Sequence, residues 1–125
     1  MSNEDIKGLD VKKGLSIVSN NKTVYARLLK SFASSAFCDQ LIDAINGGDM
    51  DLIRQKAHSL KGVAGNMYMN ELFELSCSIE ADLKDGQHLS PSDDIVTQII
   101  NANNQTMHSV NILLENPDIL ERLCR

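Results

Sequence analysis

Apolar residues recur at spacings of three and four along most of the chain, and no run alternates apolar with polar between turn residues. That pattern predicts helices throughout and no strands. A short first helix is expected after Asp10, through about Val18, with Asn20-Asn21 as the break. Beyond Asn21, Tyr25, Leu28, Phe32 and Ala36 keep helical spacing, and Phe37, Leu41, Ala44 and Ile45 continue it slightly rotated. The stretch reads either as one long helix or as two bent near Ser34-Ser35. Gly47-Gly48 ends it, glycine tolerating the left-handed geometry past a helix end. Asp49 is a good N-cap for the next helix, which runs to about Met67. Asn70 can cap a further one, with Leu72, Leu75, Ile79 and Leu83 on one face and Lys84 and Gly86 at its close. Ser90-Pro91 is expected to open the last long helix, with Pro91 at its first position and Asp93-Asp94 at the positive end of the dipole. Ile95, Ile99, Ala102, Thr106, Val110 and Leu113 mark its buried side, Pro117 breaks it, and residues 118–124 add a turn or two. Helices joined this closely predict an antiparallel bundle.

Composition narrows the class. At 125 residues, 42% apolar and 23% charged, the chain is expected to be one domain, 1–125, with a single core. A net charge of −5 argues against nucleic-acid binding through a generally basic surface. There is no apolar run long enough for a bilayer and no signal-peptide core in the first residues, so a cytoplasmic protein without a membrane anchor is expected. Cys38, Cys77 and Cys124 are odd in number and far apart, which fits reduced thiols, and Cys38 and Cys77 read as small core residues.

Candidate chemistry concentrates on the helix from Asp49 to Met67. At about 100° per residue, Ile53, Ala57, Leu60, Ala64 and Met67 fall within roughly 80° and form its core face. His58 points about 130° away from that face, toward solvent. One turn from it lie Arg54, Lys61, Gly62 and Gly65. Each glycine inside a helix costs about 0.5–1 kcal/mol relative to alanine, so two on one exposed stripe need a reason. Close approach of a partner beside His58 is one reason; close packing of a neighbouring helix is another. Near neutral pH an exposed imidazole is mostly uncharged and one nitrogen keeps a lone pair, which is what attack on phosphorus requires. Lys61 stands near enough to offer its ammonium to an anion on the ring. On geometry alone, a solvated surface histidine explains the same residues.

The string Ala57-His58-Ser59-Leu60-Lys61-Gly62-Val63-Ala64-Gly65-Asn66 resembles the signature of the histidine-containing phosphotransfer (HPt) family, roughly AHxLKGxAxN. Gly8-Leu9-Asp10, Gly14-Leu15, Tyr25, Leu28-Leu29, Phe32, Gly48-Asp49 and Glu71-Leu72 also match the family's usual pattern. The resemblance implies an antiparallel four-helix bundle with a short extra N-terminal helix. It implies that His58 takes a phosphoryl group from a receiver-domain aspartate and passes it to a response regulator. Lys61 would help neutralise the phosphate, Gly62 would give the receiver access, and Arg54, Gln55 and Gly65 would contact the partner. The exposed side of the helix beginning near Lys22 would join that docking face. The implied partners are receiver domains and a hybrid sensor histidine kinase. The domain, expected as a monomer, would bind no cofactor, with Mg²⁺ on the receiver. No ATP-dependent kinase activity is implied, and no Walker or kinase glycine loop is present. Tyr68 stands where the family often has glycine. Tyrosine is disfavoured at positive φ, so another turn conformation, or special geometry at Asn70, is expected there.

Two rivals remain at this level. One is the histidine-bearing phosphoacceptor domain of a chemotaxis-type kinase, which would need kinase and dimerisation domains further along a longer chain. The other is a helical adaptor without phosphoryl chemistry. A metal site is disfavoured, since His58, His88 and His108 lack ligand spacing with one another or with the cysteines. His88 and His108 read as solvated.

Overall fold

A computed structural model of the chain describes residues 6–124. Over them the protein is all α: α1 (Val11–Ile17), α2 (Lys22–Ser35), α3 (Phe37–Gly47), α4 (Met50–Asn66), α5 (Asn70–Lys84), α6 (Asp94–Glu115) and α7 (Pro117–Leu123). Residues 1–5 and 125, which the expected domain includes, lie outside the described residues.

Local polar groups start three of these helices. Asp10 accepts from the Lys13 amide at 3.2 Å, Asn21 from the Thr23 and Val24 amides at 3.1 Å, and Asp49 from the Leu52 amide at 3.2 Å. Such caps contribute about 1 kcal/mol each by satisfying amides that the first turn leaves free. The stretch from Lys22 to Gly47 is two helices. Ala36 takes φ 54° between them. The Gln40 side chain donates to the Ser35 carbonyl at 2.7 Å, and Phe32 and Phe37 stack across the bend at 6.0 Å.

Several expectations change. The inner row of α2 is Tyr25, Leu29 and Phe32, while Leu28 is 41% exposed. Asn70 is the first residue of α5 rather than its cap; Met69 precedes it with no side-chain cap. Pro91 does not open α6, which begins at Asp94. Ser90 and Asp93 close a turn on each other instead, Asp93 carboxylate accepting from the Ser90 amide at 2.8 Å and Asp93 amide donating to the Ser90 carbonyl at 3.0 Å. Tyr68 itself adopts φ 55°, with no special geometry left to Asn70. The physical reason is the end of α4: the Tyr68 amide donates to Gly65 and the Met69 amide to Ala64, the paired bonds of a Schellman ending. The Asp10 amide also donates to the Tyr68 carbonyl at 2.9 Å, and Lys13 stands over the ring at 5.9 Å. These contacts outweigh tyrosine's roughly 1–2 kcal/mol preference against left-handed backbone.

α3, α4, α5 and α6 pack in a ring, each on the next, α6 returning to α3. This is the expected four-helix bundle. α2 packs chiefly on α6, α1 lies against α2, and α7 folds back on α6. One apolar cluster runs through the whole, from Ile6 to Leu120, with Leu15, Leu29, Leu41, Ile53, Leu60, Leu72, Ile99 and Leu113 fully enclosed. Val96 rather than Ile95 is the first enclosed residue of α6. No helix among the described residues is long and apolar enough to cross a membrane.

Candidate functional site

The core row of α4, Ile53, Ala57, Leu60 and Ala64, is enclosed. That fixes the rotation of the helix and leaves His58 on its outer side, with 69% of the side chain exposed. Facing it, α5 buries Leu72, Ser76 and Ile79, and at the edge of that stripe stands Glu80, only 7% exposed. The antiparallel pairing of α4 and α5 across residues 67–69 brings positions 58 and 80 level.

Three cationic or proton-bearing groups converge on the Glu80 carboxylate. His58 Nδ1 lies 3.1 Å from Oε2 and 3.3 Å from Oε1, Lys61 Nζ 3.1 Å from Oε2, and Lys84 Nζ 3.3 Å from Oε1. Burial works to raise the Glu80 carboxyl, and the hydrogen bonds from Lys61, His58 and Lys84 overcome it, holding it down at about 2. An ionised carboxylate only accepts, which assigns a ring proton to Nδ1. In the uncharged ring the lone pair then belongs to Nε2, on the side turned away from Glu80. The arrangement is an anchored imidazole whose uncharged form has one nitrogen open to attack an electrophile.

The two glycines separate. A methyl group added at Gly65 would meet the Phe73 ring at 3.2 Å, so helix packing accounts for that residue. One added at Gly62 would meet nothing within 4 Å, and Gly62 is exposed. Packing among the described residues leaves Gly62 unexplained.

Arg54 and Gln55 are exposed and line a shallow groove with His58, Ser59, Glu80 and Lys84. Lys61 is not in that groove; it is 30% exposed and tied to Glu80. His88 and His108 are exposed, and no group of three or more His, Cys, Asp or Glu side chains among the described residues is placed to hold a metal ion. Sequence reading missed Glu80 and Lys84 as members of the site. A signal for Glu80 existed: a carboxylate bordering the apolar row Leu72, Leu75, Ile79 and Leu83 must find partners.

The Hpt domain family model matches residues 32–109, from the end of α2 through most of α6, and so spans the whole His58 site. The chain belongs to the Hpt domain family. Hpt domains are histidine phosphocarriers of phosphorelays and not kinases. Searches of curated proteins and of solved structures return no match. In this Hpt domain the matched segment holds α3, α4, α5 and most of α6, while α1, most of α2 and α7 lie outside it.

Proposed function

We propose that His58 is the phosphorylated residue of a phosphorelay intermediate, accepting a phosphoryl group from a receiver-domain aspartate and passing it to a response regulator. The observation that carries the reading is the His58 Nδ1 to Glu80 contact, because it leaves Nε2 as the nucleophile. In the transfer, the Nε2 lone pair forms an N–P bond while the P–O bond of the aspartyl phosphate breaks and its electron pair returns to the aspartate. The proton stays on Nδ1. The ring becomes positive as Nε2 is substituted, and Glu80 stabilises that charge in place. Reversal, with a second aspartate attacking phosphorus, returns the ring to neutrality.

Lys61 helps neutralise the phosphate, Gly62 gives the receiver's loops room, and Arg54, Gln55 and Gly65 belong to the docking face. The exposed side of α2 extends that face. Cations at Arg54 and Lys61 suit an acidic receiver pocket, with attraction that weakens as salt is raised. Mg²⁺ belongs to the receiver, the upstream partner is a hybrid sensor histidine kinase, and the domain works as a cytoplasmic monomer without ATP chemistry of its own.

The test is incubation with a receiver charged by acetyl phosphate in the presence of Mg²⁺. Label should enter the chain as an acid-labile, base-stable phosphate, and His58→Gln should abolish it. Undiminished labelling of His58→Gln would sink the assignment and favour another acceptor; no labelling of the wild-type chain by any receiver would favour the adaptor.

A further inference from the structure

The Glu80 carboxylate holds two ammonium groups, and they are not equivalent. Lys61 is on α4, half-buried, and outside the groove that contains the His58 ring. Lys84 is on α5, one turn beyond Glu80, 60% exposed, and lines that groove together with Arg54 and Ser59. Its Nζ is 3.3 Å from Oε1, while the same oxygen is 3.3 Å from His58 Nδ1. The Lys84 ammonium thus stands within two hydrogen-bond lengths of the imidazole, on a flexible four-carbon stem with room to swing.

We propose that Lys84 is a second phosphate-binding cation, which leaves Glu80 for the phosphoryl group once His58 is phosphorylated. The proposal rests on His58 being the acceptor. Before transfer, Glu80 balances His58, Lys61 and Lys84 together. After transfer the ring is a cation beside Glu80, so the carboxylate has gained a charge partner and has less need of Lys84. A dianionic phosphoryl group has at the same moment appeared on the groove side of the ring. Both changes drive the exposed ammonium in one direction, from carboxylate to phosphate. Lys61, less exposed and 3.1 Å from the other oxygen, Oε2, stays beside the ring as the first such cation. Arg54, one turn before His58 and exposed in the same groove, adds positive potential there. No proton or bond is exchanged in the swing; one ion pair replaces another.

The experiment phosphorylates the chain directly with phosphoramidate, so that no docking partner enters, and follows the phosphohistidine by ³¹P NMR between pH 5 and 9. A cation on the phosphoryl oxygens lowers their second ionisation, so Lys84→Met should raise that ionisation by about half a unit or more. Labelling should also slow by about threefold to tenfold, with Lys84→Arg restoring most of both effects. Lys61→Met should disturb the phosphoryl ionisation less than Lys84→Met. A Lys84→Met titration superimposable on wild type, in a variant that melts like wild type, overturns the role of Lys84 and leaves His58 as acceptor intact. Lys84→Met and Lys84→Arg shifting alike would overturn it as well, because charge would then not be the cause. Wild-type chain that takes up no phosphate at His58 removes the underlying reading and this one with it.

Discussion

Two parts of the molecule bring helices close over buried polar atoms, and they treat those atoms differently. Beside His58, α5 meets α4 over Glu80, whose carboxylate has three partners. At the other part, α1 and the segment before it lie over α2 and α6, where Tyr25 Oη and Thr106 Oγ1 are enclosed with no hydrogen-bond partner among the described residues. Glycines sit in both. Gly8 lies against Thr106 and Gly14 against Tyr25, closer than any side chain allows, whereas beside His58 Gly65 meets the Phe73 ring and Gly62 faces open space. The first region uses a buried charge to hold the His58 ring; the second accepts two hydroxyls without a partner among the described residues for the sake of packing. Substitution effects should therefore appear as chemistry in one region and as stability in the other.

A large stability effect is expected at Gly14. A methyl group there would stand 2.7 Å from Tyr25 Cε1 and 3.1 Å from its hydroxyl, inside a fully enclosed contact. An aromatic ring cannot yield as a flexible chain end does, so Gly14→Ala should cost about 1–3 kcal/mol despite alanine's better helix propensity. That is a drop of about 4–11 °C in Tm for a chain of this size. Amides of α1 should lose protection from hydrogen exchange first, since α1 is the element that must lift. An unchanged Tm would erase the contrast between the two regions.

Glu80→Gln is the matching test on the chemical side. The amide keeps the shape but not the charge, and its orientation no longer dictates which ring nitrogen bears the proton. Transfer from a receiver to His58 should slow by about tenfold or more, equivalent to about 1.4 kcal/mol of barrier. Acid should separate the two proteins too. Glu80 ionises in the folded chain at about 2, below its ordinary 4.5, so its contribution to stability is complete above about 4.5 and is lost as pH falls toward 2. Wild type should lose more stability than Glu80→Gln over that interval, and equal losses would mean the three contacts do not hold the carboxylate down.

The same contrast explains what could be read from the sequence. Asp10, Asn21 and Asp49 act on amides two or three residues away, so the starts of α1, α2 and α4 follow from local chemistry. The core row of α4 and the exposure of His58 follow from helical period alone. Glu80 lies 22 positions from His58, and its meeting with the ring depends on the register of two antiparallel helices, which no short window contains. Leu28 and Leu29 are both apolar and both fit a helical row; contact with α6 selects Leu29. At Tyr68 the local preference was read correctly and then overridden, because the α4 ending and Asp10 hold the backbone there together. Pro91 suited a helix start, yet Ser90 and Asp93 satisfy each other in a turn that delays α6 by three residues.

A smaller effect separates the glycines beside His58. Gly62→Ala should stabilise the fold by about 0.5–1 kcal/mol, since the added methyl meets nothing and alanine favours the helix. Gly65→Ala should gain less, because the Phe73 ring at 3.2 Å must give way. With a charged receiver, Gly62→Ala should transfer more slowly than wild type, while direct labelling by phosphoramidate stays the same. If Gly65→Ala proved the more stable of the two, packing would not be what keeps glycine there.

The smallest effect is expected from Tyr25→Phe, and its smallness is informative. Burial, then the nearby Asp10 carboxylate, push the Tyr25 hydroxyl further from ionisation, so the group is neutral near neutral pH. Removing one partner of a buried hydrogen bond ordinarily costs about 1–3 kcal/mol, because the other is left unsatisfied. Here no other partner exists among the described residues, and phenylalanine keeps the ring that packs under Gly14. The loss of a desolvated hydroxyl should leave stability within about 0.5 kcal/mol of wild type or raise it, measured as a shift in denaturant midpoint at unchanged slope. A loss above about 1 kcal/mol would show that the hydroxyl has a bonding partner after all. The α1 region would then resemble the Glu80 site, a satisfied polar contact instead of one tolerated for packing.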